Sequence, residues 1–555
     1  MHKAKPVKPE LLTRAAEALA AGNPAQAERL YRAVLAAQPD YPAALHALSV
    51  LAYQRGSHRQ ALWMNERLLA RYPSLPEAHF SRGTILQAMG RYEEALASFG
   101  SVVALEPRYA DAHFGRAYAL FERGRPDEAL EAYDRVLALA PDHALACNNR
   151  GNTLRALRRY PEALASLDRA VELDPRYAEA FTNRANVLKD MERFEDAIES
   201  YDRGLAIRAD QPDAWNNRGL ALQRMTRFDE ALRSFDQAIE LAPEHAEHRF
   251  NRAYLLLLLG SFADGWREYE WRRKQKGWSQ GRFPGAEWRG EAIGGKQLFV
   301  YAEQGLGDCL MFARFVRSIS ERGAKVLLGA PPRMHAVLER LDGVTAVIPA
   351  GASLPQFDLH IPLMSVPRLI DFTPNSVPAN VPYLSSDPAR TGHWAARLPT
   401  NRFRVGIAWH GTDVERAIPL EAFSPLARVP GTALISLQKG AGSEQLDARA
   451  ELGLVTLGAD FDSGPDAFLD TAAVMMNLDL IVTADTAVAH LAGALGRPVW
   501  IALRPVPDWR WLLERDDSPW YPTARLFRQH TEGDWQEVFA RMSVELAAMT
   551  VRGAN

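Results

Sequence analysis

Two cysteines in 555 residues, Cys147 and Cys309, are too few and too far apart for a disulfide framework or a zinc-site spacing. Charge of one sign is also lacking. Lys and Arg total 65 against 68 Asp and Glu, a net of −3, so no global basic field gathers phosphates. That excludes a dedicated nucleic-acid binder. Long apolar runs are missing as well. Stretches such as Leu255–Leu259 fall far short of the ~20 residues that span a bilayer, so no membrane span is expected. The opening stretch, Met1 to Gly22, has basic residues but no apolar h-region, which argues against a secretory signal. A cytoplasmic protein is the expectation. With 47% apolar and 24% charged residues, the chain has the balance of a globular protein, and its length suggests three or four domains.

What is present first is a repeat. Alanine recurs every 34 residues at Ala27, Ala61, Ala95, Ala129, Ala163, Ala197 and Ala231. Proline keeps that period at Pro39, Pro73, Pro107, Pro141, Pro175 and Pro243, with Ala209 in the vacant slot. A small residue recurs at Ala15, Ser49, Gly83, Ala117, Gly151, Ala185, Gly219 and Ala253, and a ring at Tyr31, Phe99, Tyr133, Tyr201, Phe235 and Tyr269. The pattern resembles the tetratricopeptide repeat. Small residues let the two helices of a unit cross closely. The proline stops the second helix, because it lacks an N–H and restricts the residue before it. One helix pair cannot bury its apolar face alone, so the units stack into an α-solenoid with a concave face. Residues 1–248 read as seven units, and residues 249–276 as capping helices where the pattern decays.

Two positions before the small residue stand Asn149, Asn183, Asn217 and Asn251. Asparagine is a mediocre helix former. Its amide both donates and accepts, so a column of amides can hold the backbone of an extended protein or peptide. The alternative is that asparagine simply suits this helix surface. The earlier units carry Thr13, Ala47 and Ser81 instead. The column is similar to asparagine ladders in the repeat half of O-GlcNAc transferase.

After Lys276 the period ends. Residues 277–296 are rich in Gly and Trp and read as a linker. Short β-rich runs then alternate with helical segments, which predicts α/β units on parallel sheets. The expected order is strand Gln297–Ala302, helix Asp308 to about Arg322, then strands Val326–Gly329 and Val344–Ile348. Pro374 to Arg404, broken by prolines, shows no clear element and reads as the join between two lobes. Strands Val405–Trp409, Ala433–Leu437, Leu454–Leu457, Leu480–Ala484 and Val499–Leu503 follow, with helices Asp466–Met476, Thr486–Leu495 and Trp535–Met549. Two Rossmann-like lobes, 297–390 and 402–550, suggest the GT-B architecture.

In such sheets ligands bind beyond the carboxyl ends of the strands. Four motifs fall there: Gly305-Leu306-Gly307-Asp308, Trp409-His410-Gly411 with Arg416, Gln438-Lys439-Gly440, and Thr483-Ala484-Asp485-Thr486-Ala487. Together with TADTAVAHLAGALGRPVW they resemble the heptosyltransferase-like family, glycosyltransferase family 9, over roughly residues 297–530. The resemblance implies a nucleotide-diphosphate sugar donor in the C-terminal lobe, an acceptor in the N-terminal lobe, inversion at the anomeric carbon and no essential metal. It aligns Asp308 with the general base, for which a helix N-cap is the structural alternative. His410 is a second candidate base or a phosphate donor. Gly305, Gly307, Gly411, Arg416, Gln438, Lys439, Asp485, Thr486, Ala487 and His490 are the candidate donor-binding residues. Arg416 and Lys439 would balance diphosphate charge, or stand as solvated charges. Asp485 would cap the helix or contact the sugar, with Thr486 beside it. Ala487 stands where the family has glycine, and its Cβ limits close approach. His490 reads first as a satisfied structural histidine. Four rings in 507–522 either stack on the base or form the acceptor wall, or else fill the seam between lobes.

The leading expectation is a glycosyltransferase acting on protein recruited by the repeats. The alternatives are an interaction scaffold with a degenerate nucleotide-binding domain, and a transferase for a glycan or lipopolysaccharide acceptor.

Overall fold

The computed structural model describes residues 9–278, 283–370 and 381–553. The first residues of the opening basic stretch, residues 279–282 of the linker and residues 371–380 of the proline-rich join lie outside the described residues. Two compact units divide the chain at Met225, within the seventh 34-residue period.

The first unit is helical throughout, from Pro9–Ala20 to Pro212–Arg224. Second helices of the repeats end at Ala37, Arg71, Leu105, Leu139 and Leu173, each two residues before a periodic proline. Helix Phe194–Ile207 stops in the same register before Ala209, so the register does not depend on proline alone. The periodic alanines are fully buried. Close crossing is visible where glycine holds the small position. A Cβ on Gly83 would lie 2.7 Å from the Phe99 ring, and one on Gly151 would lie 2.5 Å from Leu167.

Each turn between paired helices needs one left-handed residue. Gly22, Gly56, Gly90 and Gly124 supply it at φ 70–75°, but Arg158 and Glu192 occupy the same slot at φ 59°. A side chain there costs about 1–2 kcal/mol, of which glycine's greater chain entropy returns about 0.5–1. Arg158→Gly and Glu192→Gly should therefore each stabilise by about 0.5 kcal/mol, read as a rise in urea midpoint.

The second unit opens with helices Phe228–Leu241, Ala246–Leu258 and Phe262–Tyr269, and a short 3-10 turn, Glu270–Lys274. Two five-stranded, all-parallel sheets follow. The first comprises β1 (Ala286–Glu287), β2 (Gln297–Tyr301), β3 (Lys325–Ala330), β4 (Val344–Pro349) and β5 (Leu359–Pro362), in the order β1-β5-β2-β3-β4. The second comprises β6 (Phe403–Ala408), β7 (Thr432–Ser436), β8 (Leu480–Ala484), β9 (Val499–Leu503) and β10 (Ala524–Arg528), in the order β10-β9-β8-β6-β7. Every residue of β7, β8 and β9 is buried, as strands covered on both faces must be. Val538, Phe539, Met542 and Leu546 of the closing helix Trp535–Gly553 complete the core of the second sheet. The α-solenoid repeats are thus followed by an α/β region.

Several elements differ from the sequence reading. The supposed linker contains β1, an edge strand held by β5. Residues 454–457 form no strand. Val455 makes one isolated bridge to Ile435, and Gly458 at φ 89° turns the chain away. The helix after β2 is two helices, Leu306–Phe312 and Phe315–Ser320. At the break, Arg314 is buried, donating to the Met311 carbonyl at 3.0 Å and the Trp520 carbonyl at 2.7 Å. The helix expected from Asp466 starts at Leu469, because Phe468 is left-handed at φ 66°. Within the join, helix Pro388–Ala395 forms, with proline in its first turn and Asp387 accepting from the Ala389 and Arg390 amides.

Candidate functional site

Loops leaving β2, β6, β7, β8 and β9 surround a cavity of about 680 Å³ in the second unit. Gly305, Gly307, Asp308, His410, Gly411, Arg416, Gln438, Lys439, Asp485, Thr486, Ala487 and His490 all line it. Strand-end geometry accounts for this. A parallel sheet brings the loops that follow its strands to one edge.

Their individual roles differ from the expectations. Gly305, not Asp308, is the N-cap of helix Leu306–Phe312, and Asp308 sits in the first turn. Thr486, not Asp485, caps helix Ala487–Ala494, its hydroxyl accepting from the Val488 amide at 3.3 Å. A Cβ on Gly307 would lie 3.1 Å from the His490 ring and 3.5 Å from the Ala487 Cα. Gly307 therefore lets these two helices meet while Ala487 keeps its methyl. Gln438 organises a loop: its Oε1 accepts from the Trp409 and His410 amides, both at 3.0 Å, and its Nε2 donates to the His410 carbonyl at 2.9 Å. Gly411 gives its carbonyl to His410 Nδ1 at 2.6 Å. Lys439 Nζ donates to the Phe461 carbonyl at 2.6 Å.

The charges form one chain. Asp308 is paired with Arg510, and Arg510 also donates to Asp508 Oδ1 at 2.7 Å. Asp508 Oδ2 accepts from Arg416 at 3.1 Å and from the Tyr254 hydroxyl at 2.9 Å. Arg416 continues to Asp485 at 2.9 Å and Asp413 at 2.9 Å. Burial works against the Asp508 carboxylate, but Arg510 and then Arg416 outweigh it and pull the group down to about 2. Asp485 goes the other way, up to about 6, through burial and then the neighbouring Asp508 charge, with Arg416 opposing. Burial, followed by the Arg510 charge, holds His490 down to about 3. A neutral His490 therefore faces the Tyr521 hydroxyl at 3.0 Å and stacks on Trp511 at 5.4 Å.

Tyr254, Asp508 and Arg510 escaped the sequence reading. Asp508 and Arg510 follow β9 as two charges alternating with Trp509 and Trp511. The four rings of this segment are Trp509, Trp511, Trp520 and Tyr521, all fully buried. They pack into a seam, and Trp509 also lines the cavity. Trp509 meets Trp266 at 5.2 Å and Phe312 at 6.4 Å.

The asparagine column also has partners. Asn183 donates to Asn148 Oδ1 at 2.8 Å, Asn148 donates to Asn149 Oδ1 at 3.0 Å, and Asn217 donates to Asn186 Oδ1 at 3.2 Å. It thus links neighbouring repeats within the first unit. Asn251 lies on helix Ala246–Leu258 of the second unit. Beside the column runs a ladder of ion pairs at the same period, Arg150–Asp134, Arg184–Asp168 and Arg218–Asp202, each 2.6 Å.

No helix among the described residues is long and apolar enough to cross a membrane. Models of the tetratricopeptide repeat match residues 18–79, 80–144 and 212–245, and a TPR repeat model matches 151–192 and 185–225. Protein FlbA of Caulobacter vibrioides is 29% identical over 327 residues, 53% of each chain, so the chain spans about half the length of that relative. A tetratricopeptide repeat protein from Parabacteroides merdae is 16% identical, covering 44% of this chain and 98% of its own, with a TM-score of 0.38. YrrB, described as a TPR protein with an unusual peptide-binding site, is 21% identical, covering 33% of this chain and 95% of its own, at 0.29. The N-terminal half of the chain is a tetratricopeptide repeat array.

Proposed function

We propose that the α/β region is a GT-B-type glycosyltransferase that moves a sugar from a nucleoside-diphosphate donor to a protein acceptor recruited by the repeats. The observation that carries this reading is the meeting of four strand-end motifs, with both charged and glycine-bearing loops, in one cavity large enough for such a donor. In the step proposed, an acceptor hydroxyl oxygen bonds to the anomeric carbon as the bond to the diphosphate oxygen breaks. The nucleoside diphosphate leaves with the electron pair, and the hydroxyl proton passes to a carboxylate. Asp308 is the carboxylate we assign. Arg510 occupies its Oδ1, and its side chain remains 20% exposed at the cavity. Attack from the face opposite the leaving group inverts the anomeric centre. Arg416 and Lys439 face the developing diphosphate charge, a role that needs no divalent ion.

The test is thermal shift over a panel of nucleoside diphosphates and their sugars, with and without chelator. One nucleotide family should raise the melting temperature in proportion to the logarithm of its concentration, equally in both arms. A shift abolished by chelator removes the metal-independent mechanism. No shift with any nucleotide favours a scaffold, a reading supported by how fully Arg416 is already engaged by Asp413, Asp485 and Asp508.

A further inference from the structure

One wall of the cavity comes from neither sheet. Phe250 and Tyr254 of helix Ala246–Leu258, with Tyr269 of the next helix, line it alongside the strand-end motifs. Phe250 rests on Tyr269, ring centres 5.4 Å apart. Tyr254 binds Asp508, which binds Arg510, which binds Asp308. This aromatic wall is therefore tied to the carboxylate assigned above as proton acceptor. Gly411, Lys439, Asp485 and Thr486, from loops of the second sheet, line the same cavity. Asn251, the last of the asparagine column, lies three residues before Tyr254, so those two share a helix face, and Phe250 lies four before Tyr254 and flanks it on the other side. The amide position and the cavity wall are thus continuous on a single helix.

We infer that this face is the acceptor-selecting surface of the site, and that the acceptor is an extended polypeptide whose backbone passes Asn251 and whose side chains next to the modified residue pack on Phe250. The inference rests on the transferase reading above. An uncharged aromatic wall suits apolar contact with side chains, and an amide suits a polypeptide backbone.

Two measurements test it. A photoreactive benzophenone amino acid in place of Phe250 should crosslink synthetic serine- and threonine-containing peptides, and should not crosslink oligosaccharide probes. With the donor found by thermal shift, Phe250→Ala should raise the peptide KM about tenfold, the scale of losing a buried aromatic contact, while the nucleoside-diphosphate Kd moves less than about twofold. Phe250→Leu should recover part of the KM, and serves as the test variant if Phe250→Ala does not fold. If the wild-type protein binds no nucleoside diphosphate, the transferase reading falls. If it binds one and transfers sugar, but peptides neither crosslink at position 250 nor show a changed KM, the acceptor inference alone falls. Preferential crosslinking of oligosaccharides overturns the polypeptide assignment.

Discussion

Replacing Arg510 with leucine should destabilise the second unit by about 3–5 kcal/mol, the cost of leaving buried charges without their partner. The Arg510 side chain is 8% exposed and that of Asp508 1% exposed, so water screens neither. Arg510 serves Asp308 and Asp508 together and stacks its guanidinium on Trp509 at 4.5 Å. Lysine is no substitute, because it lacks the planar fork that reaches two carboxylates and lies flat on a ring. Adding Asp308→Asn and Asp508→Asn to Arg510→Leu should recover much of the loss, since amides need no counter-ion. Urea unfolding of the set separates the terms. A single variant within about 1 kcal/mol of wild type would refute the buried charge chain as a folding requirement.

Acid should unmask His490. Its imidazole is 4% exposed and accepts its proton only near 3, whereas in the unfolded chain it does so near its ordinary 6.5. Between those values the unfolded state holds one proton more than the folded state. Stability that is complete above pH 6.5 is therefore lost progressively as pH falls towards 3. Asp485 contributes with the opposite sign. Raised to about 6 from 3.8, it favours the folded state as pH drops through that interval. Comparing the wild type with His490→Gln isolates the histidine. Between pH 7 and pH 4 the wild type should lose roughly 3 kcal/mol more than the variant. The baseline cost of the lost Trp511 stacking is present at both pH values and cancels. Parallel pH dependence in the two proteins would mean that His490 protonates freely and is not enclosed as described.

These two residues show where sequence reasoning reached its limit. From the sequence His490 reads as a ligand or a structural residue, and the tertiary structure both encloses it between Trp511 and Tyr521 and lines the cavity with it. Arg510 has one near partner in the chain, Asp508, but its other partner, Asp308, is 202 residues away. Tyr254 meets Asp508 across 254 residues.

The amino-acid order by itself determined the repeat register, the places where helices stop before the periodic prolines, and strands β2–β4 and β6–β9 with charged and glycine-bearing loops at their ends, but not β1, β5 or β10. Each of these depends on neighbours within one repeat or one strand and loop, where backbone preference and side-chain periodicity act directly. Tertiary structure decided the rest. It joined β1 to β5, ended the strand expected at 454–457, broke the helix at Arg314, buried the tryptophan seam, and closed the chain of charges from Asp308 to Asp485. Those outcomes depend on which distant groups share a low-dielectric space. A buried arginine, carboxylate or indole is placed by the partners that compensate its desolvation, and those partners come from elements far apart along the chain.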